Sequence, residues 1–289
     1  MKGSENMFTH TSLKGKVAVV TGGGGVLCSE FCKELAAQGM KVAVISLHLE
    51  SSQKVVDEIK ATGGTALALA CNVLEPESLA KAREIINAEL GTCDLLINGA
   101  GGNNPRGTTS KDSLSLEDIH NKTEGIKTFF DLDAESIGYV FNLNFLGTLL
   151  TTQCFAIDMV GKPDASIINI TSMSAFKPLT RIPAYSAAKA AVSNFTQWMA
   201  VHFADAGLRV NAIAPGFFST KQNKTLLYNE DGSLTDRSKK ILTHTPLGRF
   251  GVPGDLSGAL LFLADGDYSG FVTGVILPVD GGFSAYSGV

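Results

Sequence analysis

Tyr185 and Lys189, in the run Tyr185-Ser186-Ala187-Ala188-Lys189, set a phenol and an ammonium four positions apart. On a helix that spacing brings both onto one face. A neighbouring cation favours phenolate, which suits Tyr185 to give or take a proton near neutrality. Alone, the pair reads more often as a packed tyrosine beside a surface lysine. A second candidate is Thr21-Gly22-Gly23-Gly24-Gly25-Val26-Leu27-Cys28, between an apolar run and a helix-like stretch. Its glycines allow a tight turn and close approach to a pyrophosphate, while the helix start offers N–H groups and the positive end of its dipole. The bland alternative is a plain glycine-rich turn. Other polar positions follow in order: Asn98-Gly99-Ala100-Gly101, Asn144, Ser172 thirteen positions before Tyr185, Pro215-Gly216 with Thr220, and Asp280-Gly281-Gly282.

These residues need a frame. Short runs rich in Val, Ile, Leu and Ala occur at 17–21, 41–46, 65–71, 94–98, 166–171, 209–214 and 274–278. Strands buried on both faces of a parallel sheet have this composition. Helical apolar spacing fills 30–38, 51–62, 77–90, 134–160, 184–206 and 255–263. Gly39 and Gly63 stand where helices should stop. The alternation predicts βαβ units and a doubly wound parallel sheet, an α/β fold in a single domain over 13–289 behind a polar tail, 1–12. Two polar stretches, 101–133 and 217–245, break the rhythm. Both follow strands, so both are expected at the carboxyl ends of the sheet, where such folds bind ligands.

Composition narrows the function. Of 289 residues, 44% are hydrophobic and 18% charged, too apolar for a disordered chain. A formal charge of −4 argues against a general nucleic-acid binder. No run approaches the ~18 apolar residues of a membrane span, and the polar start lacks a signal peptide's apolar stretch. A cytoplasmic protein is expected, without membrane or nucleic-acid partners. The five cysteines form no Cys-x-x-Cys pair and the five histidines are scattered, so reduced thiols and no metal site are expected. The Asn-x-Thr triplets at Asn121, Asn169 and Asn223 are then chance matches.

The ordered set of motifs resembles the short-chain dehydrogenase/reductase family over 13–283. The resemblance implies a Rossmann-like fold and hydride transfer with a nicotinamide cofactor. Tyr185 then matches the acid/base, Lys189 the residue that holds the nicotinamide ribose and lowers the Tyr185 pKa, Ser172 a donor to the reacting oxygen, and Asn144 a helix kink holding a relay water. Gly22, Gly24, Gly25, Val26 and Leu27 would meet the phosphates, Ser46 the adenosine ribose, and Asn72 and Val73 the adenine. Asn98, Ala100 and Gly101 would pass the cofactor, with Pro215, Gly216, Phe218 and Thr220 near the carboxamide. Two positions depart from the family's glycine finger, Val26 and Cys28 standing where glycines are usual. Ser46 carries neither the Asp that selects NAD nor a basic neighbour that favours NADP, so the expectation leans to NAD with NADP left open.

Further stretches narrow the likeness. The Gly-Gly-Val-Leu finger, Asn98–Gly107, the run Phe129-Phe130-Asp131-Leu132-Asp133, 182–203 and 211–218 are similar to the family's bacterial D-mannonate oxidoreductases, also called fructuronate reductases, of hexuronate catabolism. The resemblance implies interconversion of D-mannonate and D-fructuronate, with oxidation at C5; another keto-sugar-acid or polyol dehydrogenase, such as a gluconate 5-dehydrogenase, is the alternative, and a non-catalytic dinucleotide sensor a further one. Such a substrate needs cations and hydroxyl partners. Asn103, Asn104, Arg106, Ser174, Lys177, Arg181, Lys221, Gln222 and Asn223 offer them; of these Asn103, Arg106, Ser174, Lys177 and Arg181 are the substrate candidates. A solvated loop surface is the plain alternative. Phe145, Leu149, Phe195 and Trp198 give the two longest helices apolar outer positions, from which a homotetramer is expected.

Overall fold

Branched and small apolar residues form seven parallel strands: β1 (Val17–Thr21), β2 (Lys41–Ser46), β3 (Thr65–Ala70), β4 (Leu95–Asn98), β5 (Ser166–Ile170), β6 (Arg209–Pro215) and β7 (Ile276–Val279). The structure, a computed structural model, describes residues 10–120, 124–220 and 224–288. The strand order is β3-β2-β1-β4-β5-β6-β7. The chain therefore reverses its direction of travel between β1 and β4, which opens a crevice at their carboxyl ends. Every residue of β1, β4, β5 and β6 is buried, as the continuous apolar runs require.

The helices are α1 (Val26–Ala37), α2 (Leu49–Ala61), α3 (Pro76–Glu89), α4 (Leu116–His120), α5 (Ala134–Phe141), α6 (Gly147–Ala156), α7 (Pro183–His202), α8 (Lys224–Leu227), α9 (Asp236–Thr243), α10 (Ser257–Ala264) and α11 (Gly266–Ser269). Phe31 and Leu35 of α1 with Leu260 and Leu263 of α10 cover one face of the sheet, against Val20 and Ile97. Ile86 of α3, Phe155 of α6 and Met199 of α7 cover the other, against Val19 and Leu96. His10 and Ser12, in the polar N-terminal stretch, both bond the Asp265 carboxylate, at 2.7 and 2.5 Å.

The α/β Rossmann-like sheet is as the periodicity predicts, and Gly39 and Gly63 do take the left-handed conformation that ends α1 and α2. The expected helix over 134–160 is not continuous. It is α5, a π-helical turn at Asn142–Leu146, and α6, which stops at Ala156. The turn widens where the Asn144 amide bonds back to the Val140 carbonyl at 2.8 Å. The expected helix over 184–206 ends at His202, followed by a 3-10 turn and Gly207 at φ 75°. Nor are the two polar stretches structureless: α4 lies in the first, α8 and α9 in the second. Asn121, Lys221, Gln222 and Asn223 lie outside the described residues.

Candidate active site

The crevice between β1 and β4 is closed by backbone. Gly22 sits at φ +67°, and a Cβ there would stand 2.7 Å from the Gly99 carbonyl oxygen. Only glycine permits that approach. Thr21 pins the two strand ends together, its hydroxyl donating to the Ile97 carbonyl at 3.3 Å and accepting from the Gly99 and Ala100 amides. Cys28 is buried beneath this turn, its sulfur in contact with the place where a Cβ of Gly99 would be. The departure at Cys28 is thus matched by the missing side chain at Gly99. Gly25 is the N-cap of α1 and gives it no side-chain cap, so the first-turn amides at Val26 and Leu27 are left without an intrahelical partner. Gly24 donates its amide to Ser46 Oγ at 2.9 Å, tying the loop to the end of β2. A Cβ at Gly24 would collide with Ser46 and Ser51. The amide-lined hollow fits a pyrophosphate, with Ser46 at its far end.

Asn72 stays local: its amide donates to Glu75 and its carbonyl oxygen caps Leu74, while buried Val73 lies under Gly147. Asn98 is buried between β4, β5 and α6, donating to Thr152 at 2.9 Å and Asn169 at 2.8 Å. Pro215 ends β6, and Gly216 lies against Asp280, so the chain after β6 packs on the chain after β7. Phe218 is buried against Gly251, and Thr220 stands two residues on, at the mouth of the second polar stretch.

The four candidate catalytic residues converge beside Gly101. A Cβ there would lie 2.6 Å from Asn144 Oδ1 and 3.1 Å from Lys189 Nζ. Asn144 Nδ2 donates to the Gly102 carbonyl at 2.7 Å and its Oδ1 accepts the Gly102 amide at 3.2 Å, which locks the strand-four turn to the π-helical turn. Ser172 caps the 3-10 turn Met173–Ala175, and Tyr185 sits in the first turn of α7. The Ser172 hydroxyl faces the Tyr185 phenol and favours its ionised form. Lys189 Nζ lies 5.7 Å from the centroid of the Tyr185 ring and donates to the Ile170 carbonyl at 2.8 Å. Burial lowers the Lys189 ammonium to about 8. Burial likewise pushes the Tyr185 phenol above its ordinary value, with the Ser172 hydroxyl pulling it back. The expected lowering of Tyr185 by Lys189 is not what this arrangement does, because the ammonium is turned to the β5 carbonyl.

Around this centre the substrate candidates separate. Asn103 Nδ2 donates to Thr108 at 3.3 Å. Asn104 accepts the Arg106 amide at 2.9 Å, and Arg106 pairs with Asp133 at 2.9 Å. Arg181 pairs with Asp112 at 2.7 Å. Lys177 instead donates to the Tyr286 carbonyl, so among the described residues it meets no carboxylate. Ser174 gives both its amide and its hydroxyl to Ser172 Oγ, at 3.1 and 3.0 Å. Arg106 and Arg181, both candidates for a substrate carboxylate, are thus ion-paired in this structure.

Two participants, Asp112 and Tyr286, were invisible in the sequence. Asp112 accepts from Thr180, Arg181 and Lys240, joining the first polar stretch to the Ser172–Tyr185 connection and to α9. Those donors hold its carboxyl well below the usual range. Tyr286 belongs to the C-terminal segment, which lies over the second stretch through contacts of Phe283 with Phe217, at 5.3 Å, and of Tyr286 with His244, at 6.1 Å. Neither carries a local signal, since each acts only through residues far away in sequence. No group of three or more potential metal ligands occurs among the described residues.

Comparison with known proteins gives the following. The family profile described as short chain dehydrogenase matches residues 16–231. An uncharacterized oxidoreductase of Haemophilus influenzae is 55% identical over 289 residues, covering all of both chains. The uncharacterized oxidoreductase UxuB of Bacillus subtilis is 55% identical over 280 residues, 97% of this chain and 99% of its own. A crystal structure of a proposed D-mannonate oxidoreductase from Haemophilus, with NAD bound, superposes at a TM-score of 0.92 with 56% identity, covering 96% of this chain and 98% of that one.

Proposed function

The chain belongs to the short-chain dehydrogenase family, and from that premise we propose that it interconverts D-mannonate and D-fructuronate with NAD, Tyr185 acting as acid and base. The observation that carries the chemistry is the convergence of Asn144, Ser172, Tyr185 and Lys189 beside Gly101, at the carboxyl ends of β4 and β5. The substrate is supported by the likeness to a proposed D-mannonate oxidoreductase, at 56% identity over nearly the whole chain. It is supported as well by Lys177, two residues past the turn that Ser172 caps, whose ammonium has no carboxylate partner among the described residues.

The residues present fit a dinucleotide. The glycine loop Gly22, Gly24 and Gly25 would let the pyrophosphate approach the first-turn amides of Val26 and Leu27, with Ser46 at the adenosine ribose and Asn72 and Val73 at the adenine. Asn98, Ala100 and Gly101 would line the passage, Tyr185 and Lys189 the nicotinamide ribose, and Pro215, Gly216, Phe218 and Thr220 the carboxamide. Ser46 is neutral and Leu47 follows it, so no charge is placed to select a ribose phosphate, which favours NAD. When bound, the nicotinamide supplies or accepts the hydride.

The chain's own groups then handle the proton. In reduction, charge grows on the substrate oxygen as its carbon becomes tetrahedral. Ser172 donates a hydrogen bond to that oxygen, and Tyr185 gives it a proton. In oxidation Tyr185 takes the proton back. Lys189, held by Ile170 and next to Asn144, carries the positive charge that favours the phenolate once its ammonium turns toward the ribose. The first two long helices after β4 and β5 would form the interfaces of a homotetramer.

The test is spectrophotometric. NADH and NADPH oxidation should be followed with D-fructuronate and with a panel holding 5-ketogluconate and neutral ketoses. Turnover of D-fructuronate with NADH, well above the panel, is expected. Faster turnover of 5-ketogluconate would move the assignment to a gluconate 5-dehydrogenase.

A further inference from the structure

A serine hydroxyl has one proton to donate and two lone pairs with which to accept. At Ser172 both accepting positions are taken by one residue. Ser174 points its backbone amide at Ser172 Oγ from 3.1 Å and its own hydroxyl from 3.0 Å. Both residues are buried, Ser174 at 1% exposure and Ser172 at 8%, so water does not compete for these positions. The backbone holds the geometry. Ser172 is the extended N-cap residue of the 3-10 turn Met173–Ala175, and the Ala175 amide bonds its carbonyl at 3.0 Å.

We propose that Ser174 is a positioning residue that fills the acceptor positions of Ser172 and thereby fixes Ser172 as a donor. The inference rests on the reading of Ser172 and Tyr185 as the oxygen-binding pair. Its consequence is directional. With Ser172 unable to accept, the Tyr185 proton has no partner on that side and is left for the substrate oxygen. The Ser172 proton, likewise, can go only to the phenol oxygen or to the substrate oxygen. Hydrogen bonds thus run one way, from Ser174 to Ser172 to the reacting oxygens, and bonds aligned in this way reinforce one another. Ser174 need not touch the substrate to matter. Removing its hydroxyl frees one lone pair on Ser172, and the Tyr185 phenol can then donate into it. That stabilises the neutral phenol and raises its pKa.

Ser174→Ala keeps the amide bond and removes the hydroxyl. The loss of one neutral hydrogen bond predicts a fall in kcat of about 2- to 13-fold with KM for D-fructuronate unchanged. The pH at which activity depends on Tyr185 should move upward by about half a unit. A KM increase at constant kcat would make Ser174 a substrate contact and overturn the proposal. A second reading needs no substrate. Tyrosinate absorbance is titrated in the wild type and in Ser174→Ala, each corrected with the matching Tyr185→Phe protein. The Tyr185 step should lie higher in Ser174→Ala, and an unmoved step would overturn the proposal even if D-fructuronate proves the wrong substrate. NADH binding and the melting temperature close to wild type establish that the variant is folded.

Discussion

If the substrate is a sugar acid, its carboxylate must find a cation near Ser172 and Tyr185, and the structure discriminates among the three offered. Arg106 and Arg181 each sit on a carboxylate, at 2.9 and 2.7 Å, whereas Lys177 sits on the neutral Tyr286 carbonyl. Drawing Lys177 to a substrate carboxylate gives up a neutral acceptor for a charged one. Drawing Arg181 away would leave Asp112 with two donors in place of three. A charge-assisted hydrogen bond is worth about 1.5–3 kcal/mol, or roughly 10- to 150-fold. Lys177→Ala should therefore lower kcat/KM for D-fructuronate by about that factor, and much less for a neutral ketose of similar shape. Arg106→Ala and Arg181→Ala should cost only a few-fold and should affect both substrates alike, because exposed pairs contribute about 0.2–1 kcal/mol each. Steady-state kinetics of the three variants on the two substrates decide it. A selective loss in Arg181→Ala, or an equal loss on both substrates in Lys177→Ala, would refute the ion-pair reasoning.

Other outcomes are expected from the same structure. Tyr185→Phe removes the phenol hydroxyl and with it the transferable proton, so NADH binding should persist while turnover falls by about 10²–10⁴-fold; activity within a few-fold of wild type would end the acid/base role. Asp112→Asn should lower stability at neutral pH by about 0.2–1 kcal/mol for each lost pair, read by urea titration. The carboxyl of Asp112 is depressed in the folded state, so that difference is present above its unfolded value and should shrink as pH falls below about 4. A difference that grows in acid would contradict the assignment. Phe195 stacks on Trp198 at 5.8 Å, and Trp198 and Val201 on the same helix are exposed at 55% and 80%. A homotetramer is expected by light scattering, and a monomer mass at micromolar protein would refute it.

The frame was legible because it depends on local composition. Continuous apolar runs become strands buried on both faces, and Gly39 and Gly63 end helices wherever such a chain folds. What failed locally was the helix over 134–160. Apolar spacing ran through Asn144, and nothing in the sequence says that its side chain will bond Val140 and Gly102 and widen the turn. The departure at Cys28 has the same character. A cysteine in place of a glycine looks like a defect of the loop until Gly99 is brought above it.

The candidate site divides along the same line. Tyr185 and Lys189 share a helix, and Ser172 and Ser174 share a turn, so their relation is fixed by neighbours in sequence. The rim is different. Asp112 meets Lys240 across 128 positions, and Lys177 meets Tyr286 across 109. A cation counted along the sequence has no partner assigned, and its electrostatics depend on which loop folds against it. By sequence Arg181 and Lys177, on the Ser172–Tyr185 connection, stand ahead of Arg106 as carboxylate partners, although Arg181, like Arg106, is ion-paired and Lys177 is not. Chemistry carried by backbone-local pairs can be read from a sequence, while selectivity carried by loop-to-loop charge pairing cannot. For this chain the reaction class is legible in the sequence, whereas the carboxylate role proposed for Lys177 depends on a loop contact with Tyr286, 109 positions away.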